Sequence, residues 1–226
     1  MEEENLIDMK EAIVTAGRDL FNKGILENNE GNISLRVSKK DEMLITPTGN
    51  NYQIFTANQV VHMKFDGTSL SSGKLPSTEA KMHALIYESR PKVKSIIHTH
   101  STYASMLSII RKSIPIIMEE QLIYLGGSIE ISPYGEAHTN NIGESALSAL
   151  SYKNGALLAN HGVIVCGKSI QNAIKNAELV EKFAKVYWGA LQVGKPYTLD
   201  NEPLDKFRDM FKKLFSSCPR SMLRDL

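Results

Sequence analysis

The chain has 226 residues, 42% of them hydrophobic and 23% charged, a balance that suits a soluble globular protein able to bury a sizeable core. Its net charge of +1 argues against nucleic acid or a membrane surface as the main partner. No stretch approaches eighteen consecutive apolar residues, the acidic start Met1-Glu2-Glu3-Glu4 is the reverse of a signal peptide, and Cys166 and Cys218 make no disulfide framework, so a cytoplasmic location is expected.

Leu6, Met9, Ile13, Gly17, Leu20 and Phe21 recur at helical spacing, which predicts an amphipathic helix over residues 5–23 ended at Gly24. Ile33, Leu35 and Val37 alternate as a half-buried strand. The chain turns at Lys39-Lys40-Asp41-Glu42 and returns through Met43-Leu44-Ile45. Thr46-Pro47-Thr48-Gly49-Asn50 reads as a loop, and Val61, Met63 and Phe65 as a strand before the turn dipeptide Asp66-Gly67. Ser77 is the expected N-cap of a helix carrying Met82, Leu85 and Ile86, stopped by Pro91.

Residues 93–101 are then a strand and 102–111 a helix. Ile114-Pro115-Ile116-Ile117 is extended, 118–125 favours helix, and Ile129 and Ile131 mark a short strand. Ile142, Ala146, Leu147 and Leu150 predict another helix. The apolar runs 156–159 and 163–166 fit either one strand bent at Asn160-His161-Gly162 or two strands meeting there. Ser169 caps the longest helix, and residues 203–215 read as a helical tail. With no repeat or linker, strands joined partly by hairpins and partly by helices predict one domain over 1–226, built on a mixed, largely antiparallel sheet covered by helices.

The chemistry centres on Ile96-Ile97-His98-Thr99-His100. On a strand, side chains alternate faces, so His98 and His100 point the same way about 6.6–6.8 Å apart, close enough for two imidazoles to converge on one ion. His161 at a strand end and Glu79 at a helix start complete a coherent donor set for Zn²⁺ or another divalent metal. The same dipeptide repeat also fits a pair of core or surface histidines. Three polar loops, Gly31-Asn32-Ile33-Ser34, Thr48-Gly49-Asn50 and Ser77-Thr78, place small hydroxyls and free N–H groups near element boundaries. Such groups, with the positive end of the helix after Ser77, can hold a phosphate without lysine. His83 reads as a supporting or structural residue, and His62 and His138 as surface residues. There is no G-x-G-x-x-G, Walker loop, G-x-S-x-G or C-x-x-C.

In this order the stretches Gly31-Asn32-Ile33-Ser34, Ile45-Thr46-Pro47-Thr48-Gly49, Leu75-Pro76-Ser77-Thr78-Glu79, Ile96-Ile97-His98-Thr99-His100, Pro133-Tyr134 and Asn160-His161-Gly162 resemble the class II aldolase/adducin family, and within it the L-fuculose-1-phosphate aldolases. The likeness runs from about residue 5 to 195. It implies an α/β fold, a three-layer α/β/α sandwich on a mostly antiparallel mixed sheet. It also implies zinc on Glu79, His98, His100 and His161, and substrate phosphate on Asn32, Gly49, Ser77 and Thr78 with Gly31 and Thr48 beside them. The implied assembly is a C4 homotetramer with active sites at subunit interfaces.

The implied reaction is reversible cleavage of a ketose 1-phosphate into dihydroxyacetone phosphate and an aldehyde. Zinc acts as the Lewis acid, and Glu79, displaced by substrate, becomes the base. One departure stands out: counting from Ser113-Ile114-Pro115, Glu119 takes the place of a proton-donating tyrosine, with Tyr134 the next candidate. The C-terminal tail departs as well, with Phe215 where those enzymes carry another tyrosine. Methylthioribulose phosphate dehydratases use a Glu as acid/base in the segment corresponding to Glu119 and Glu120, whereas the pentulose phosphate 4-epimerases carry Asp where Glu79 stands. Adducin-type heads, a non-enzymatic alternative, lose the ligands that this sequence keeps.

Overall fold

The computed structural model describes residues 2–37, 40–136, 140–199 and 211. In chain order its elements are α1 (Glu2–Asn22), β1 (Asn32–Val37), β2 (Glu42–Ile45), β3 (Val61–Lys64), α2 (Ala80–Ser89), β4 (Ser95–Thr99), α3 (Thr102–Ile109), β5 (Glu130–Ile131), α4 (Asn140–Leu150), β6 (Gly155–Leu158), β7 (Gly162–Gly167) and α5 (Ile170–Val193). A 3₁₀ turn covers Ala57–Gln59 and a π turn Gln121–Leu125.

The seven strands form one sheet in the order β3-β2-β1-β4-β7-β6-β5. Every neighbouring pair is antiparallel except β5 with β6, so the sheet is mixed and mostly antiparallel, as expected. Period-two alternation sorts its side chains between two cores. Ile33, Leu35, Ile97, Val163 and Val165 pack under α1, α3 and α5. Met43, Ile45, Ile96, Ile164 and Cys166 face the opposite way, under α2 and α4. Three layers result, and the central strands β1, β4 and β7 are buried on both sides.

Several local expectations are refined. The runs around Asn160-His161-Gly162 are two strands, not one bent strand: β6 and β7 pair with Leu158 opposite Gly162. Asn160 supplies the left-handed turn residue at φ 54°. Strand β4 ends at Thr99, so His100 stands just past it.

Residues 118–125 contain the π turn rather than an α-helix, because the chain wraps round the buried Gln121 side chain. Its Oε1 accepts from Ile117 and Met118 N–H at 2.8 and 3.2 Å, and its Nε2 donates to the Pro115 carbonyl at 2.9 Å. His62 is not a free surface residue; its Nε2 lies 2.9 Å from Glu42 Oε2. Lys39, His138, Cys218 and the expected tail helix over 203–215 lie outside the described residues, apart from Phe211, which is buried.

Candidate metal centre and substrate cleft

The site forms where β1, β4 and the β6–β7 turn end beside the start of α2. Asn32, the first residue of β1, pairs in register with His98 on β4, and His98 with Ile164 on β7. Two glycines let these ends close up. A Cβ on Gly31 (φ +67°) would lie 2.5 Å from the His98 carbonyl oxygen, and one on Gly162 would strike the Thr99 carbonyl. Neither position tolerates a side chain, so the loops carrying Asn32 and His161 lie flush against the histidine strand.

His98 is fully buried, and its Nδ1 lies 2.7 Å from the Val163 carbonyl oxygen. That carbonyl can only accept, so Nδ1 carries the proton and Nε2 presents a lone pair. Against that lone pair stand two further ring nitrogens, His100 Nε2 at 2.9 Å and His161 Nε2 at 3.1 Å. Bare lone pairs do not gather like this without a cation or a shared proton. Tetrahedral zinc with Zn–N near 2.0–2.1 Å sets its nitrogens about 3.3 Å apart, close to these separations.

Glu79 closes the group, with Oε2 3.2 Å from His98 Nε2 and Oε1 2.8 Å from His161 Nε2. Buried Oε1 makes no hydrogen bond in that geometry, which leaves it a free donor atom for a metal. Three imidazole nitrogens and one carboxylate, all converging, fit a divalent transition metal.

Charge at the site is set by burial. Burial pushes His98 down to about 4, against the pull of Glu79, so its imidazole is neutral as a metal ligand must be. Desolvation also lowers His100, helped by His161. Burial works against an ionised Glu79, but His98, His161 and the Asn32 amide outweigh it and hold the carboxyl well below the usual carboxylate range. Asn32 Nδ2 donates to Glu79 Oε2 at 2.8 Å. Behind this group, His83 Nδ1 lies 2.7 Å from Ser34 Oγ, which lies 2.8 Å from the Tyr87 hydroxyl. Burial and the nearby His98 push His83 down to about 3, so it is a neutral structural residue.

Beside the histidines opens a cleft of about 220 Å³. Gly31, Asn32, Thr48, Gly49, Ser77, Thr78, Glu79, His100 and His161 all line it. A bridge between Pro47 and Pro76 holds the Thr48-Gly49 loop against the Ser77-Thr78 segment. Ser77 is not the helix N-cap: Glu79 is, and Ser77 Oγ accepts the Glu79 N–H at 3.3 Å two residues earlier, as serine does in a tight turn. Its hydroxyl proton stays available to a ligand. A roomier groove between the β1–β2 turn and the end of β3 has no histidine and mixes lysines with carboxylates.

Two cleft residues, Asn29 and Glu30, carry no signal in the sequence beyond adjacency to Gly31-Asn32. Asn50, from the Thr48-Gly49-Asn50 loop, also lines the cleft and is buried with both side-chain amide atoms unpaired. Glu119 is exposed and does not line this cleft within its own chain.

The sequence matches the model for the Class II Aldolase and Adducin N-terminal domain over residues 11–188. It is 30% identical over 206 residues to the 5-methylthioribulose-1-phosphate/5-deoxyribulose-1-phosphate aldolase of Rhodospirillum rubrum, covering 91% of this chain and 92% of that one. It is 32% identical over 201 residues to the L-fuculose phosphate aldolase of Escherichia coli K12, covering 88% and 92%. A solved L-fuculose 1-phosphate aldolase superposes with a TM-score of 0.86 at 29% identity, over 91% of this chain and 96% of that one.

Proposed function

Because this chain belongs to the class II aldolase and adducin family, we propose that it reversibly cleaves a ketose 1-phosphate resembling L-fuculose 1-phosphate, releasing dihydroxyacetone phosphate and an aldehyde. It is a metal-dependent lyase of that family. The observation that carries the reading is the convergence of Glu79 with the Nε2 atoms of His98, His100 and His161 at one end of a hydroxyl-lined cleft.

Zinc fits this nitrogen-rich donor set, and a divalent cation held there supplies Lewis-acid polarisation of the substrate's carbonyl oxygen. Everything else falls to the chain's own residues. Glu79 is ionised, and with Oε2 held by Asn32 its Oε1, the oxygen that would ligate the metal in the resting site, becomes the one that takes up a substrate proton once substrate displaces it. Ser77 and Thr78 offer hydroxyl protons, and the loop Thr48-Gly49, with Gly31 and Asn32 beside it, offers small polar groups. The start of α2 adds its positive end, so these groups bind the substrate phosphate.

Glu119 is assigned the proton transfer on the aldehyde-side oxygen. It is exposed in a single chain and does not line the cleft there, so this assignment goes with the homotetramer with interfacial sites that the family resemblance implies. Exposed Met106, Ile109 and Ile110 on and after α3 give such an interface apolar surface to bury. No described helix is long and apolar enough to cross a membrane, and a cytoplasmic setting suits two cysteines with no disulfide framework.

A second reading, a dehydratase on the same substrate class, rests on the carboxylate at Glu119; a 4-epimerase is disfavoured by Glu rather than Asp at position 79. A panel of ketose phosphates assayed for dihydroxyacetone phosphate tests the choice. Aldol cleavage gives that product, whereas substrate loss without it points to the second reading.

A further inference from the structure

We infer that Glu30 is a positioning residue for the metal centre: its carboxylate accepts the Nδ1 proton of His100 and so turns the His100 Nε2 lone pair toward the metal. This rests on the metal centre proposed above. The three imidazoles are not held alike. His98 is buried in the strand, with Nδ1 2.7 Å from a backbone carbonyl. His100 stands just past the end of β4 with 30% of its side chain exposed, where no strand pairing orients its ring. The carboxylate facing its Nδ1 is Glu30, with Oε2 at 3.4 Å.

Glu30 is well placed for this. Its N–H donates to the Glu27 carbonyl at 3.3 Å, and the next residue is the glycine packed on the His98 carbonyl. The loop therefore delivers its side chain beside the histidine pair from the cleft side.

A carboxylate behind a ligating imidazole has two effects. It fixes the tautomer, so that Nε2 is the bare nitrogen, and it makes that nitrogen more basic. The pair is part-exposed, so its effect belongs at the lower end of what such partners contribute.

The test compares Glu30→Ala and Glu30→Gln with the wild type, all stripped of metal, titrated with Zn²⁺ against a chromophoric chelator, and read again as the Co²⁺ visible spectrum. Glu30→Ala should bind Zn²⁺ about tenfold more weakly and shift the Co²⁺ bands, while Glu30→Gln, whose amide oxygen accepts the same proton, should stay within about threefold of wild type. Unchanged melting of the metal-free variants excludes a folding defect, as expected at an exposed position. Glu30→Ala within about threefold of wild type, or Glu30→Gln losing as much as Glu30→Ala, overturns the inference. A wild-type protein that takes up no metal would instead overturn the functional reading itself.

Discussion

Asn32 at the start of β1 and Glu79 at the start of α2 are 47 residues apart in sequence, and the Asn32 amide donates to the Glu79 carboxylate at 2.8 Å. Asn32 thereby fixes which carboxylate oxygen is held and which is free. Removing it with Asn32→Ala should leave Glu79 able to rotate. A hydrogen bond to a charged group contributes about 1.5–3 kcal/mol, so kcat should fall roughly ten- to a hundredfold with metal content retained. Steady-state kinetics beside elemental analysis checks this; equal loss of metal would mean that Asn32 supports the ligand set and not the base.

Ser77 should act on binding. Its hydroxyl lines the cleft while Oγ accepts the Glu79 N–H. Ser77→Ala is expected to raise KM for a phosphorylated ketose by about ten- to a hundredfold with a smaller change in kcat. An unphosphorylated ketose handled equally well by the wild type would contradict the phosphate assignment.

Acid stability follows from His83. Its folded value near 3 lies below the ordinary value of 6.5 that it regains on unfolding. The unfolded chain therefore binds the extra proton, and stability falls as pH drops from about 6.5 toward 3, by about 1.4 kcal/mol per pH unit for this one group. Above 6.5 the contribution is flat. Denaturant melts of metal-free protein across that range should show the slope, shallower in His83→Gln; an identical slope in both would place the acid sensitivity elsewhere.

Much of this site was legible because strand chemistry is local. His98 and His100 announce themselves by period-two spacing inside an apolar run, and Gly31, Thr48, Gly49 and Ser77 by small residues at element boundaries. What escaped depends on tertiary contact. Glu30 matters only because Gly31 packs on the His98 carbonyl, a relation across more than sixty residues. The choice between a bent strand and two strands at Asn160-His161-Gly162 turned on pairing that periodicity does not encode. Serine favours the N-cap position, which points to Ser77, yet the chain begins its helix after Glu79. The π turn followed from the buried Gln121 side chain, which no helical pattern reveals.

Glu119 is the most exposed part of the mechanism to experiment. Glu119→Gln should cut kcat by about 10²–10⁴-fold, the usual contribution of a general acid or base, with zinc content unchanged, while Glu120→Gln should do far less. If the residue serves a neighbouring copy, co-expressed Glu119→Gln and His98→Ala chains should recover part of the activity that each lacks alone. Turnover by Glu119→Gln within about threefold of wild type would move the proton transfer elsewhere, with Tyr134 next in line.

The central claim is that His98, His100, His161 and Glu79 hold a metal that the reaction needs. Elemental analysis of the purified protein, paired with the assay for dihydroxyacetone phosphate before and after chelation, tests it most directly. The account predicts about one zinc or other divalent ion per chain, as a single four-donor site requires, with activity abolished by chelation, restored by Zn²⁺, and absent together with the metal in His98→Ala. A metal-free protein whose activity survives chelation would contradict it.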